Sequence, residues 1–155
     1  MNILIVEDDS MLRSWLCMLL RSLTDYQLSI YEAGDGLEAL EVCRATPIEL
    51  VITDIKMPRM DGLQLITRLQ ECHPAIRTAV LSSYDDFAFV KTALQYGALD
   101  YILKAEMTVD DLSQLLGKVQ NDFHVEHMLS KGIFPDYRSI RSAQKAMADF
   151  MADPE

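Results

Sequence analysis

Five short runs of apolar or β-branched residues recur along the chain: Ile3 to Val6, Leu28 to Tyr31, Leu50 to Thr53, Ala79 to Leu81 and Tyr101 to Leu103. The first, third and fourth are continuous rather than alternating, which is the pattern of parallel strands covered on both faces. Between the runs the period changes to that of a helix. Leu12, Trp15, Leu16, Leu19, Leu20 and Leu23 follow i, i+3, i+4 spacing, and Leu63, Leu65, Ile66 and Leu69 repeat it. Strand and helix thus alternate five times. Right-handed crossovers then place helices on both faces of a five-stranded parallel sheet, a doubly wound α/β fold.

A last helix is predicted from near Thr108, where Thr108 and Asp111 make a capping-box pattern ahead of Leu112, Leu115, Leu116, Val119 and Phe123, and it runs to about Leu129. The segment KGIFPD, residues 131 to 136, holds Gly and Pro and breaks it. Beyond it Ile140, Ala143, Met147, Phe150 and Met151 mark a weaker amphipathic helix. The expected division is a domain over 1–130 and a linker or C-terminal helical extension over 131–155.

The 155 residues suffice for one well-buried domain. A net charge of −10 repels phosphate backbones and anionic lipid, so direct nucleic-acid contact by this chain is not expected. Cys17, Cys43 and Cys72 are odd in number and form no CxxC pair, which fits a reduced protein. No leader-like segment opens the chain and no apolar run approaches the ~20 residues that span a bilayer. A cytoplasmic location without membrane association is expected. The nine methionines include Met11, Met18 and Met57, which sit among core-type positions and are expected to pack inside.

The chemistry gathers at strand ends. Glu7 and Asp8 follow the first run, Asp54 the third, Ser82 the fourth and Lys104 the fifth. In sheets of this class ligands bind beyond the carboxyl ends of the strands. A carboxylate there can attack phosphorus to form an aspartyl phosphate, provided that cations offset the repulsion of an anionic donor. Asp54 is the candidate nucleophile. Asp8, with Glu7 acting through a water, would hold Mg²⁺ alongside Asp54, and Lys104 would neutralise a further phosphoryl oxygen. Asp9 is a secondary metal candidate, although Asp9 and Ser10 precede the first helix and read better as N-caps. Asp61 before Gly62 reads as a cap and is left out of the site. His73, His124 and His127 have no partnered cluster.

Jointly these residues resemble the response-regulator receiver domain of two-component signalling, from about Asn2 to about Phe123, with DIKMPRMDG the most characteristic stretch. The resemblance implies a flavodoxin-like fold with strand order 2-1-3-4-5. It implies Asp54 as phosphoacceptor and Glu7, Asp8, Asp54 and the backbone carbonyl of Lys56 as the Mg²⁺ site. It also implies Ser82 as switch hydroxyl, Tyr101 as switch aromatic and Lys104 as phosphoryl-binding cation. The implied partners are a sensor histidine kinase and a fused or separate output domain, with a homodimer left open. The stretch SSYDDFAFVKTALQYGALDYILK is similar to receivers fused to AraC-type helix-turn-helix output domains, which points to transcription. One departure stands out: Ala105 follows Lys104 where the family usually has proline, so a trans bond is expected there.

Two other functions share these residues. An aspartyl-phosphate phosphatase would place a general acid two residues past the nucleophile, where this chain has Lys56. A phosphorylation-independent interaction module would keep the fold without the chemistry. By the receiver reading the chain is not an enzyme beyond its own phosphorylation and dephosphorylation.

Overall fold

The computed structural model describes residues 1–83 and 87–133. Five strands, β1 (Asn2–Val6), β2 (Ser29–Ala33), β3 (Leu50–Asp54), β4 (Arg77–Ser82) and β5 (Asp100–Leu103), alternate with helices α1 (Ser10–Arg21), α2 (Gly36–Ala45), α3 (Gly62–Cys72), α4 (Phe87–Gln95) and α5 (Val109–Ser130). All neighbouring strands pair in parallel, in the order β2-β1-β3-β4-β5. The order reverses between β2 and β3, around β1, so the ends of β1 and β3 flank the crevice where such sheets bind ligands.

Two compact units divide the chain, Met1–Gly117 and Lys118–Glu155. The first contains the whole sheet. Along β1, Leu4 and Val6 join a core cluster with Val51, Leu65 and Leu69, while Ile3 and Ile5 point the opposite way and are equally buried. Both faces of the sheet are therefore covered, as the continuous apolar runs predict. A neighbouring cluster of Ile55, Ile66, Val80, Val90 and Ala93 packs α3 and α4 onto the sheet.

Local chemistry fixes the helix starts. Asp9 caps α1 by accepting from the N–H groups of Met11 and Leu12, and Asp35 caps α2 by accepting from Glu38 N–H. Asp61 and Gln64 make a reciprocal capping box on α3. At the start of α5 the Thr108 hydroxyl accepts from Asp111 N–H, while an Asp111 carboxylate oxygen accepts from Thr108 N–H.

Some expectations are corrected. β2 begins one residue later than expected and runs on to Ala33, because an edge strand interrupted by exposed Ser29 and Glu32 carries a diluted apolar signal. β4 extends the short run Ala79 to Leu81 to Arg77 and Ser82, since Thr78 and Ser82 are polar by sequence yet buried in place. Met11 and Met18 are not core residues: they are 82% and 61% exposed on the outer side of α1, whereas Met57 does pack against the core. Lys104–Glu106 forms a 3₁₀ turn, and no described peptide bond is cis, so the bond to Ala105 is trans as expected. α5 stops at Ser130, where the KGIFPD segment begins. The amphipathic helix expected around residues 140–151 lies outside the described residues.

Candidate functional site

Asp54 is the last residue of β3 and is only 6% exposed. Its carboxylate is held from two sides. Oδ1 accepts from Ile55 N–H at 2.8 Å, and Oδ2 accepts from Lys104 Nζ at 2.9 Å. Lys104 begins the 3₁₀ turn directly after β5 and reaches back across the end of β4. The same ammonium lies 3.4 Å from Glu7 Oε2, an oxygen with no hydrogen-bond partner among the described residues. One cation thus bridges two buried carboxylates that arrive on different strands.

Glu7 follows β1 directly. Its Oε1 accepts from Asp9 N–H at 3.2 Å. Burial, then the charge of Asp54, pushes its carboxyl up to about 7, against the lowering effect of the Asp9 N–H and Lys104. Burial works against the charge on Lys104, yet the hydrogen bond and charge of Asp54, followed by the charge of Glu7, outweigh it and raise its pKa. Lys104 is shared by two buried carboxylates, with the exposed Asp8 carboxylate close to both.

Carboxylate oxygens of Glu7, Asp8 and Asp54 lie within 4.8 Å of one another. All are hard oxygen donors, Asp8 is exposed to solvent, and one Glu7 oxygen has no hydrogen-bond partner among the described residues. That set suits a small divalent cation which keeps several waters, as Mg²⁺ does. Asp9 is not in the group, because its carboxylate caps α1. Lys56 lies in the loop two residues past Asp54, with its ammonium 5.6 Å from the ring centroid of Phe89 on α4.

Ser82 ends β4, fully buried, and its Oγ has no hydrogen-bond partner among the described residues. It pairs in register with Leu103, the residue before Lys104, while its neighbour Leu81 pairs with Asp54. Tyr101 is not drawn inward. It is 45% exposed and lines a cavity of about 160 Å³ together with Ser82, Ser83, Phe87, Val90 and Leu103. Asp61 stays with its capping box, as expected.

The loop after β3 has an anchor that the sequence did not signal. Arg59, at φ 64°, reaches Asp35 Oδ2 through Nε at 2.7 Å and through Nη2 at 2.6 Å, while Gly36 N–H donates to the Met60 carbonyl at 3.1 Å. The Glu38 N–H, and after it Arg59, holds the Asp35 carboxyl below the usual carboxylate range in spite of its burial. A lowered folded pKa adds stability above the unfolded value near 3.9, and the addition is lost as pH falls through the folded value. Asp35→Asn should therefore be less stable than the parent at pH 6, by up to about 1 kcal/mol because Arg59 is largely exposed, with the gap narrowing below pH 4. Urea midpoints across that range measure it; a gap independent of pH would remove the ion pair from the account.

Residues 3–117 match the family model described as response regulator receiver domain. The transcriptional regulatory protein HptR of Staphylococcus aureus is 40% identical over 104 residues, covering 66% of this chain and 40% of HptR. An uncharacterized response regulatory protein of Staphylococcus epidermidis is 38% identical over 103 residues, with the same two coverages. The chain therefore spans about 40% of the length of these curated relatives. Among solved structures, the receiver domain of AraT, a response regulator from Geobacillus stearothermophilus, is 28% identical with a TM-score of 0.72, covering 81% of this chain and 97% of that one. A response regulator receiver domain protein from Clostridium thermocellum is 25% identical with a TM-score of 0.71, covering 83% and 98%. Fold, strand-end chemistry and relatives converge: this chain belongs to the response regulator receiver domain family of two-component signalling.

Proposed function

We propose that the chain accepts a phosphoryl group on Asp54 from a sensor histidine kinase, or from a small acyl phosphate, and changes conformation to control an output. The observation that carries this reading is the Lys104 ammonium set 2.9 Å from Asp54 Oδ2 and 3.4 Å from Glu7 Oε2. A carboxylate oxygen of Asp54 attacks phosphorus as the P–N bond to a donor imidazole, or the P–O bond to an acyl group, breaks and its electron pair leaves with the donor. Lys104 stays beside the acceptor and offsets charge on the incoming group. Asp54, Asp8, Glu7 through a water, and the Lys56 carbonyl would hold Mg²⁺, which when bound supplies Lewis-acid neutralisation of phosphoryl oxygens.

Ser82 brings an O–H with no hydrogen-bond partner among the described residues, which can donate to a phosphoryl oxygen. Pulling Ser82 toward Asp54 enlarges the space next to Tyr101, whose ring turns in from its half-exposed position. The added charge of about −1.5 to −2 supplies the drive. To invert a 1:99 equilibrium, phosphorylation has to favour the active state by about 5.5 kcal/mol. The face made by α4, β5 and the first turns of α5 then presents the state to its partner.

The output is proposed to be transcription, through a fused or separate domain, because HptR is named as a transcriptional regulator and this chain matches only part of its length. We place the protein in the cytoplasm, in line with the kinase as donor; no described helix is long and apolar enough to cross a membrane. Intact-mass measurement after acetyl phosphate, with and without Mg²⁺, tests the reading. One added phosphoryl group is expected only with Mg²⁺, and none at all in Asp54→Ala. Label that persists in Asp54→Ala overturns the assignment, and steady hydrolysis of phosphate esters would favour the phosphatase reading.

A further inference from the structure

Glu7 is where β1 stops following the sheet. Its N–H still donates to the Ala33 carbonyl of β2 at 3.1 Å, but its own carbonyl, on a residue 1% exposed, accepts from Arg13 Nη1 at 2.7 Å. A buried carbonyl needs a partner, and here α1 supplies it within its first turn and a half. Arg13 is itself placed by the helix, its N–H donating to the Asp9 carbonyl at 2.9 Å. Its Nε meets Glu32 Oε1 on β2 at 3.2 Å. A single planar fork thus ties the end of β1, the start of α1 and the edge strand together, a geometry that a lysine ammonium does not reproduce.

The tie has a geometric consequence for the crevice. A peptide unit is planar, so holding the Glu7 carbonyl fixes the plane of the Glu7–Asp8 peptide and the direction in which the Asp8 Cα departs. Glu7 and Asp8 supply two of the three carboxylates that converge within 4.8 Å. We infer that Arg13 is a positioning residue for the cation site, aiming the Asp8 carboxylate through the Glu7 carbonyl without touching the ion. The inference rests on the Mg²⁺ reading given above.

Charge and position predict opposite signs. Arg13 is a cation near a cation site, so if only its charge mattered, its removal would tighten Mg²⁺ binding. If it positions Asp8, removal weakens binding, as loss of an outer partner that orients a metal ligand does. Calorimetric titration of the full chain with Mg²⁺ separates the two, with wild type, Arg13→Met and Arg13→Lys compared. The expected result is about tenfold weaker binding for folded Arg13→Met, with Arg13→Lys in between. Unchanged or tighter binding by folded Arg13→Met overturns the inference, even where its melting temperature drops. A wild-type chain that binds no Mg²⁺ sinks the metal reading first and this inference with it. Should Arg13→Met fail to fold, Glu32→Gln carries the test: releasing the fork from β2 is expected to weaken Mg²⁺ about twofold to threefold, the scale of a half-exposed ion pair. Unchanged affinity in Glu32→Gln would then overturn it.

Discussion

Replacing Lys104 with methionine should cost the domain stability and phosphoryl uptake together. Its ammonium bridges Asp54 and Glu7, and removing it leaves two buried carboxylates facing each other. Breaking a buried pair by deleting one partner costs about 3 to 5 kcal/mol; the lower end applies here because the Lys104 side chain keeps 23% exposure. Glu7 modulates the loss with pH. Its folded pKa, already pushed up to about 7 from 4.5, rises further once the cation is gone. An acid whose folded pKa is raised stays neutral in the native state, so the native state binds the extra proton and stability falls as pH climbs from the unfolded value through the folded one. Lys104→Met should therefore lie closest to wild type near pH 5 and furthest from it near pH 8, in urea denaturation without divalent cations. Added Mg²⁺ should recover part of the deficit at pH 8, since it replaces the missing positive charge. Phosphoryl uptake from acetyl phosphate should fall by about 10²-fold to 10³-fold, the scale for losing one preorganised electrostatic contact. A deficit equal at pH 5 and pH 8 would show that Lys104 and Glu7 are not electrostatically linked.

The sheet was legible because burial on both faces leaves a plain trace. Val51 and Ile52 have to be apolar whichever side they point to, so β3 reads as a solid run from Leu50 to Thr53, to which the structure adds Asp54. β2 shows the reverse case: exposed Ser29 and Glu32 interrupt its signal, and its observed bounds differ from the expected ones by one residue at the start and two at the end. Met11 and Met18 depart from the core expectation for a related reason. Methionine is apolar enough to fit a core pattern, yet the inner face of α1 is already filled by Leu16, Cys17 and Leu20. The crevice was legible in its charges, because a carboxylate or lysine directly after a strand has one place to go in this topology. Arg13 and Arg59 left no such trace. Each acts on a partner at least six positions away in sequence, Glu7 and Glu32 for Arg13 and Asp35 for Arg59, and an arginine in a helix or a loop looks like any other until that partner is located. Ser82 stands between the two cases: its position in the sequence matches a hydroxyl near the acceptor, but that its oxygen is buried without a partner among the described residues follows from packing alone.

Gly62→Ala should disrupt the domain out of proportion to the single methyl it adds. A Cβ built at Gly62 would sit 2.2 Å from the Asp54 carbonyl oxygen and 3.0 Å from the Ile55 Cα, both main-chain atoms with no rotamer by which to yield. The contact exists because Gly62 N–H donates to the Ile55 carbonyl at 2.7 Å, drawing the first turn of α3 against the end of β3. One added methyl must push α3 outward or drag the acceptor strand with it. Forcing an extra carbon into a packed site costs about 1 to 3 kcal/mol, and the upper end is expected where backbone meets backbone. Gly117 is the matched control. It lies inside α5, and the nearest atom to an added Cβ is the Tyr26 hydroxyl at 3.8 Å, an ordinary contact. Gly117→Ala should stabilise by about 0.4 to 1 kcal/mol through reduced freedom of the unfolded chain. Chemical denaturation of the two variants gives the opposite signs directly. The folded fraction of Gly62→Ala should also take up phosphate more slowly than wild type, because the displacement falls on the strand end that presents Asp54. Normal uptake in a destabilised Gly62→Ala would mean that α3 gives way while the acceptor stays in place.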